Sequence, residues 1–215
     1  MNHWDTKRQI LEAAARIFAY RGYAAASVQE IVDAAKVSKP ALYYYFGDKA
    51  GLYQALVDEA HDARHERVRM AAARGQDLRS RLVEALSALF DFVRARKELV
   101  RIAFATTLAA PGELPEGLCR AEKCQRSVDF VESLMKAGQA EGVLDRRFDS
   151  RELAYALYGQ VNFLIVSQLL MPRSALNRRT AERLVDLFLS GAATRRGRAG
   201  SSRTAALAPP RPVPV

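Results

Sequence analysis

The sequence predicts an all-α protein, with an N-terminal three-helix head of the helix-turn-helix type followed by a larger helical bundle. Apolar residues recur three and four positions apart along most of the chain, which is the spacing of one helix face. No segment sustains the period-two alternation of a half-buried strand, and the hairpin dipeptides Asn-Gly and Asp-Gly do not occur. Helix-start signals recur, including the capping-box spacings of Ser27 with Glu30 and of Asp149 with Glu152. We therefore expect helices without a sheet.

The first of two short helices follows Ser27 in the segment SVQEIVDAAKVSKPALYYYFGDK, residues 27–49. Ser38 supplies a second N-cap a few residues later, and Pro40 is tolerated there because it falls in the first turn of a helix. The first helix presents one narrow apolar face, formed by Val28, Ile31, Val32 and Ala35.

The second helix has an inward and an outward face. Leu42 and Phe46 repeat at i, i+4 and point inward, so Lys39, Tyr43 and Tyr44 point elsewhere. Two capped helices joined by so short a turn are typical of a helix-turn-helix. The outward face carries hydrogen-bond donors and flat rings, which suits a DNA groove.

The helices on either side of this motif can also be placed. Upstream, a first helix begins near Thr6 and ends at Gly22. Downstream, a long connector helix begins at Lys49 and keeps apolar positions as far as Ala63. Beyond Asp62 the helix becomes polar and charged, which predicts that its distal half is solvated.

The remaining chain divides into a helical bundle and a tail. Five helices are predicted in the bundle, approximately over residues 78–93, 99–108, 118–140, 153–171 and 180–192. The tail after Thr194 mixes Arg, Gly, Ser and Pro, cannot bury a core and is predicted to be disordered. We therefore expect a DNA-binding domain over residues 1–50, a ligand-binding and dimerisation domain over 51–193, and a basic, Pro-rich tail over 194–215.

The composition favours a cytoplasmic protein. The chain has 215 residues, enough for one or two domains, and 49% of them are apolar. Two cysteines, Cys119 and Cys124, do not make a disulfide framework, which favours a reducing compartment. The N-terminus carries no secretory signal, and polar residues interrupt the most apolar run, Ala154 to Met171. We expect no membrane partner.

The position of the charge matters more than its total. The chain carries a formal net charge of +9. Residues 1–60 hold equal numbers of basic and acidic side chains, whereas the tail from Arg195 onward holds five arginines and no acid. The high net charge is therefore no argument that the helix-turn-helix binds DNA, and only local charges can support that function.

The first 60 residues closely resemble the TetR/AcrR family of transcriptional regulators. The resemblance is carried by a first helix ending in Gly22-Tyr23, followed by SVQEIVDAAKVSKPALYYYFGDKAGLYQAL. It implies a homodimer whose three-helix heads bind double-stranded operator DNA. It also implies a divergent helical domain that binds a small effector and dimerises through its last two long helices.

The resemblance assigns eight residues to DNA contacts: Ser27, Ser38, Lys39, Pro40, Tyr43, Tyr44, Tyr45 and Lys49. Lys39 suits guanine O6 and N7. Tyr43 is the groove-facing aromatic, and Tyr44 and Tyr45 correspond to phosphate-contacting positions, although Tyr45 can equally pack beneath the helix. Lys49 and Ser27 are expected to meet phosphates. Many family members have glycine in place of Pro40, so we expect an altered base preference.

The bundle suggests an effector pocket and a dimer seam. Asn162 and Tyr158 would supply the pocket's polar groups, and plain core or dimer contacts explain the same candidates equally well. No charged residue falls within the apolar helices, which favours a lipophilic or aromatic effector over an ionic one. The candidate pocket residues are Phe90, Phe104, Leu108, Phe130, Leu134, Tyr158, Asn162 and Phe163. The candidate dimer residues are Leu153, Leu157, Val161, Leu164, Leu184 and Phe188.

Other functions find less support. His61 and His65 lie one helical turn apart, as in zinc proteases, but no third ligand can be nominated, so we expect no metal. Cys119 and Cys124 remain candidates for a redox role. No catalytic constellation or cofactor motif is evident, so we expect no enzyme. We therefore expect a homodimeric repressor that a small lipophilic or aromatic effector releases from its operator. The alternative is a helical effector-binding or scaffold protein whose tail makes only non-specific nucleic-acid contacts.

Overall fold

The computed structural model describes residues 3–110, 113–115, 118, 120–171 and 175–190. These residues form nine α-helices and no strand, so the all-α prediction is confirmed. The helices are α1 (His3–Ala25), α2 (Val28–Ala35), α3 (Lys39–Phe46), α4 (Lys49–Ala72), α5 (Leu78–Ala95), α6 (Lys97–Leu108), α7 (Arg120–Ala140), α8 (Ser150–Leu170) and α9 (Arg178–Ser190). The predicted tail over 194–215 and Cys119 lie outside the described residues.

Helices α1, α2 and α3 form the head. α1 is longer than predicted, but its helical geometry is interrupted at Gly22, where φ is 76° and ψ is 171°. The predicted capping box starts α2: Ser27 Oγ accepts from the Glu30 amide at 3.1 Å, and Glu30 Oε2 accepts from the Ser27 amide at 3.1 Å. Lys36 ends α2 in the left-handed region, and Ser38 caps α3. The two caps lie at the two ends of a short turn. Because the turn is short, it holds α2 and α3 at a fixed angle.

Helix α4 packs against both the head and the bundle. Leu52, Tyr53 and Leu56 are buried near its start. The Tyr53 ring meets Phe18 of α1 edge-on, with 5.0 Å between ring centroids. The Tyr53 hydroxyl lies 2.9 Å from the Thr106 hydroxyl of α6, in a buried hydrogen bond. One side chain therefore joins three helices.

The distal half of α4 is solvated on one face, where Glu66, Arg67 and Arg69 are exposed, and packed on the other. His61, Ala71 and Ala72 are buried, and the segment between them packs against α5 and α7. The prediction of a solvated distal half missed this packed face, because small and aliphatic residues continue at helical spacing beside the charged ones.

Helix α5 is central to the rest of the bundle, where it packs against α4, α7 and α9, while α8 packs mainly against α7. Arg79 binds Asp186 at 2.7 Å and ties α5 to α9. The capping box of Asp149 and Glu152 begins α8 as predicted. Arg101 of α6 lies 5.3 Å from the Tyr20 ring centroid of α1. Helix α6 thus contacts both the head and the bundle.

Helix α8 has one buried and one exposed apolar face. The buried face carries Ala154, Leu157, Val161 and Ile165. The exposed face carries Tyr155, Phe163 and Leu170. By length and composition alone, α8 is also the one helix among the described residues that could cross a membrane.

We predict that Tyr53→Phe lowers the free energy of unfolding by about 0.5–1.5 kcal/mol, the net worth of one hydrogen bond. The ring packing is retained, so the loss reports the bond between α4 and α6. Urea unfolding measures it. Tyr20→Phe, an exposed tyrosine, is the control and should change little. Equal effects of the two substitutions would contradict the prediction.

Candidate DNA-binding surface and effector cavity

The outward face of α3 presents the residues predicted to contact DNA. Lys39 and Pro40 are exposed at its start. The side chains of Tyr43 and Tyr44 are 47% and 76% exposed. Beneath them Leu42 is fully buried and anchors the helix on the head. A single helix therefore offers a cation and two phenol rings to one side and an apolar anchor to the other.

Tyr45 and the two capping serines differ from this exposed group. The Tyr45 ring is half-buried, packs against the head core and lies 6.2 Å from the Phe46 ring centroid. The hydroxyls of Ser27 and Ser38 accept backbone N–H groups at the starts of α2 and α3. These side chains are held in place by the fold. Their predicted contacts with DNA stay predictions.

Lys49 has a structural role that the sequence did not reveal. Its ammonium donates to the carbonyl oxygens of Tyr23 and Ala26, both at 3.0 Å. It also lies 4.3 Å from the centroid of the Tyr23 ring. The start of α4 is thereby bound to the connection between α1 and α2. An ammonium has three donors, so a phosphate contact stays a prediction alongside this role.

An apolar cavity lies between α4, α5, α7 and α8. It has a volume of about 70 Å³. Four of the predicted pocket residues line it: Phe130, Leu134, Tyr158 and Asn162. Aliphatic side chains supply most of the remaining wall, among them Leu82, Leu86, Val131 and Ile165.

The other four predicted pocket residues lie elsewhere. Phe104 lines a second, smaller cavity of about 10 Å³. Phe90 is fully buried in the core and does not line either of these cavities. Leu108 and Phe163 are 80% and 71% exposed, so assigning them to the pocket was wrong. The two side chains, on α6 and α8, point away from the bundle. Their apolar character alone does not indicate the direction in which they point.

Three predicted dimer residues also need correction. Leu157, Val161 and Leu184 are buried within the single chain, so they cannot form a seam with a second chain, and the first two line the cavity. Leu153, Leu164 and Phe188 are partly buried against the core. The apolar residues that α8 leaves exposed lie on its opposite face.

Arg64 and His65 of α4 line the cavity, although the sequence indicated that no charge would do so. Arg64 donates to the Ser127 hydroxyl of α7 at 3.0 Å and lies 3.4 Å from Nδ1 of His61. The sequence contains one indication of this orientation. Val68 lies one turn after Arg64 on α4, and an apolar residue at that spacing indicates that this side of the helix faces inward.

Comparisons with known proteins identify the N-terminal domain. Residues 10–56 match the profile described as bacterial regulatory proteins, tetR family. This part of the chain is a TetR-type DNA-binding domain. The protein is a DNA-binding transcriptional regulator, in agreement with its exposed α3 surface.

Individual TetR-family relatives cover different shares of the chain. FasR of Mycolicibacterium smegmatis, named as a transcriptional activator, is 40% identical over 100 residues, 46% of each chain. TtgR of Pseudomonas putida is 27% identical over 199 residues, which are 86% of this chain and 90% of that protein. These relatives are named as regulators rather than enzymes.

Solved structures show that the TetR-like fold extends through the bundle. MbdR of Azoarcus sp. CIB superposes with a TM-score of 0.76 at 23% identity, covering 88% of this chain and 100% of that one. FadR of Bacillus halodurans gives a TM-score of 0.73 at 22% identity, with coverage of 86% and 99%.

The two histidines of α4 have separate surroundings. His61 is 5% exposed. Burial, together with Arg64 and Lys123, lowers its pKa from 6.5 to about 4, so it is uncharged at neutral pH. The His65 ring instead packs edge-on against Phe130, with centroids 5.8 Å apart. Within the described ranges no group of three or more potential ligands could hold a metal ion.

Cys124 is partly exposed on α7. Its sulfur lies 3.7 Å from the Thr107 hydroxyl oxygen. The possible redox role of this thiol stays a prediction.

We predict that the protein loses about 1–2 kcal/mol of stability between pH 7 and pH 5 through His61. The unfolded histidine, with its higher pKa, binds a proton in this range while the folded one does not, so stability falls as pH falls. Urea unfolding at both pH values tests this. His61→Gln should show a smaller pH dependence by that amount, and an unchanged slope would contradict the assignment.

Proposed function

We propose that the protein is a homodimeric repressor that binds a pseudo-palindromic operator in the cytoplasm and releases it when a small effector occupies the cavity. The observation that carries the DNA-binding part is the exposed row of Lys39, Tyr43 and Tyr44 on a helix anchored by Leu42. In this assignment residues 1–50 bind DNA and residues 51–193 bind the effector and dimerise.

Helix α3 is proposed to enter the major groove. Lys39 and the tyrosine rings contact base edges, while the N-termini of α2 and α4 face phosphates. Since residues 1–60 carry no net charge, affinity depends on where these few groups lie. Two heads would read half-sites about one helical turn apart.

We expect Lys39→Ala and Tyr43→Ala each to weaken operator binding by roughly 5- to 150-fold, as expected for lost base contacts. Both side chains are exposed, so the melting temperature should stay near that of wild type. Selection of bound sites from random DNA supplies the operator, and titration by fluorescence anisotropy measures affinity. Lys36→Ala, in the turn before α3, is a matched exposed-lysine control.

The Lys49→Met substitution tests whether Lys49 stabilises the head in addition to any contact with DNA. Because Lys49 binds two carbonyl groups within the head, its loss should lower both head stability and DNA affinity.

Wild-type operator binding by a folded Lys39→Ala, Tyr43→Ala double variant would overturn the assignment of α3 as the DNA-contacting helix.

The proposed dimer forms through the exposed apolar face of α8 together with α9. Tyr155, Phe163 and Leu170 on α8 and Leu187 on α9 are exposed in the single chain. Apolar surface of this extent is characteristic of a protein interface, and a two-fold axis would pair the same face with itself. The exposed Gly159 lies between Tyr155 and Phe163 and permits close approach of a second helix.

Phe163→Glu is expected to convert the dimer to a monomer, because two carboxylates would then be buried at the seam. Sedimentation velocity at micromolar concentrations measures the change. Met70→Glu, which places the same charge on an exposed apolar position of α4, should leave the dimer intact. A dimeric Phe163→Glu protein would place the interface elsewhere.

The effector is proposed to act by enlarging the cavity. A volume of about 70 Å³ is below the roughly 300 Å³ at which pockets hold drug-sized ligands. A ligand must therefore separate α4 from its neighbours, and α4 leads directly to Lys49 in the head. Release of DNA requires that the effector favour this displaced state.

Names of structural neighbours agree with a lipophilic effector. FadR of Bacillus halodurans is described as a fatty acid degradation regulator, and FadR of Bacillus subtilis was solved in complex with stearoyl-CoA. Titrating candidate effectors into the protein–operator complex tests the proposal. Tighter DNA binding in the presence of a bound effector would contradict release.

A further inference from the structure

Arg64 lies between two apolar cavities that the described residues of the bundle enclose. The larger cavity is lined by residues of α4, α5, α7 and α8, and the smaller one extends towards Phe104 of α6. Arg64, Leu89 and Ile165 line both of them. The Arg64 side chain therefore stands where the two spaces would join.

The hydrogen-bond partners of this guanidinium are uncharged. The Ser127 hydroxyl accepts from Arg64 at 3.0 Å, and the His61 imidazole lies 3.4 Å away. Because burial keeps the pKa of His61 well below neutral pH, this ring brings no charge of its own. Within the part of the chain that the structure describes, Arg64 forms no ion pair.

The carboxylates nearby on α4 are bound by other cations. Asp58 pairs with Lys123 of α7 at 2.7 Å. Asp62 pairs with Lys123 at 3.5 Å and also with Arg126. Lys123 and Arg126 of α7 thus pair with Asp58 and Asp62, while Arg64 remains on the cavity side with neutral partners.

A partly buried cation without an acidic partner favours an anionic ligand. Folding has already met the free-energy cost of removing part of this guanidinium from water. A carboxylate that enters the cavity therefore gains a charge-assisted hydrogen bond, which can be bidentate. The planar guanidinium fork matches the two oxygens of a carboxylate. The rest of the wall is mostly apolar, with His65, Ser127, Tyr158 and Asn162 as further polar groups.

We propose that the effector is an elongated apolar acid whose carboxylate binds Arg64 and whose hydrocarbon body fills the joined cavities. This inference rests on the proposed effector function of the same cavity. It revises the expectation of an effector without charge, because that expectation assumed that the charged part of α4 faces solvent.

Binding would also change how α4 is held. When the Arg64 fork turns to a carboxylate, it leaves the Ser127 hydroxyl, which is a direct link between α4 and α7. The same movement removes the side chain that separates the cavities. Recognition of the acid and displacement of α4 would therefore occur through one residue.

The test compares octanoate and decanoate with 1-octanol, which keeps the apolar body and lacks the charge. Isothermal titration calorimetry on the full-length wild-type protein should show carboxylates binding roughly 10- to 100-fold more tightly than the alcohol. Arg64→Gln should remove that preference. Arg64→Lys, which keeps the charge and loses the fork, should retain part of it.

Arg69→Gln is the matched control. Arg69 lies on the same helix, is exposed and pairs with Glu66 at 2.7 Å, so its loss should leave carboxylate binding unchanged. Circular dichroism and thermal melting verify that each variant is folded. Equal binding of acid and alcohol, unaltered acid binding by folded Arg64→Gln, or no binding of either acid would overturn the inference.

Operator binding without ligand is measured in parallel. Intact, sequence-specific DNA binding combined with absent acid binding removes only the inference about the effector. Specific DNA binding that is missing from the wild type removes the proposed function, whatever the acids do.

Discussion

Helix α4 must satisfy two cores with one continuous run of residues, and the arrangement of the other helices follows from that constraint. Its first turns bury Leu52 and Tyr53 against the head and α6, and its later turns place His61 and Arg64 against α7. A helix of 24 residues spans about 36 Å and behaves as a stiff rod. A shift at either end must therefore be accommodated at the other, which is the physical basis for coupling a cavity to a DNA-binding surface.

Much of the fold could be predicted because local chemistry specifies it. The caps at Ser27, Ser38 and Asp149 each satisfy a backbone N–H group through a side chain a few residues away, so spacing alone reveals them. The exposed row on α3 was predictable for a similar reason, since Leu42 fixes which side of a short helix faces inward. The family resemblance then supplied what that row contacts.

The cavity and the seam were harder to predict because periodicity does not say which neighbour covers a face. Helix α8 is apolar on opposite sides, and only the packing of α7 shows that Val161 faces the cavity while Phe163 faces out. Charged residues cause the opposite error, because a charge suggests exposure to solvent even where the side chain lines a cavity. A long arginine can bury its stem along an apolar wall, so the charges of α4 concealed a lining residue at Arg64.

The bonds from Lys49 to the carbonyl groups of Tyr23 and Ala26 bear on how such regulators can be recombined. A hybrid that exchanges only the segment through α3 separates this lysine from the loop that it holds. A junction placed after Lys49 keeps the loop and its ammonium together as one transferable unit. Tyr53, whose hydroxyl bonds to Thr106, then stays with the recipient and marks the surface against which a foreign head must fit.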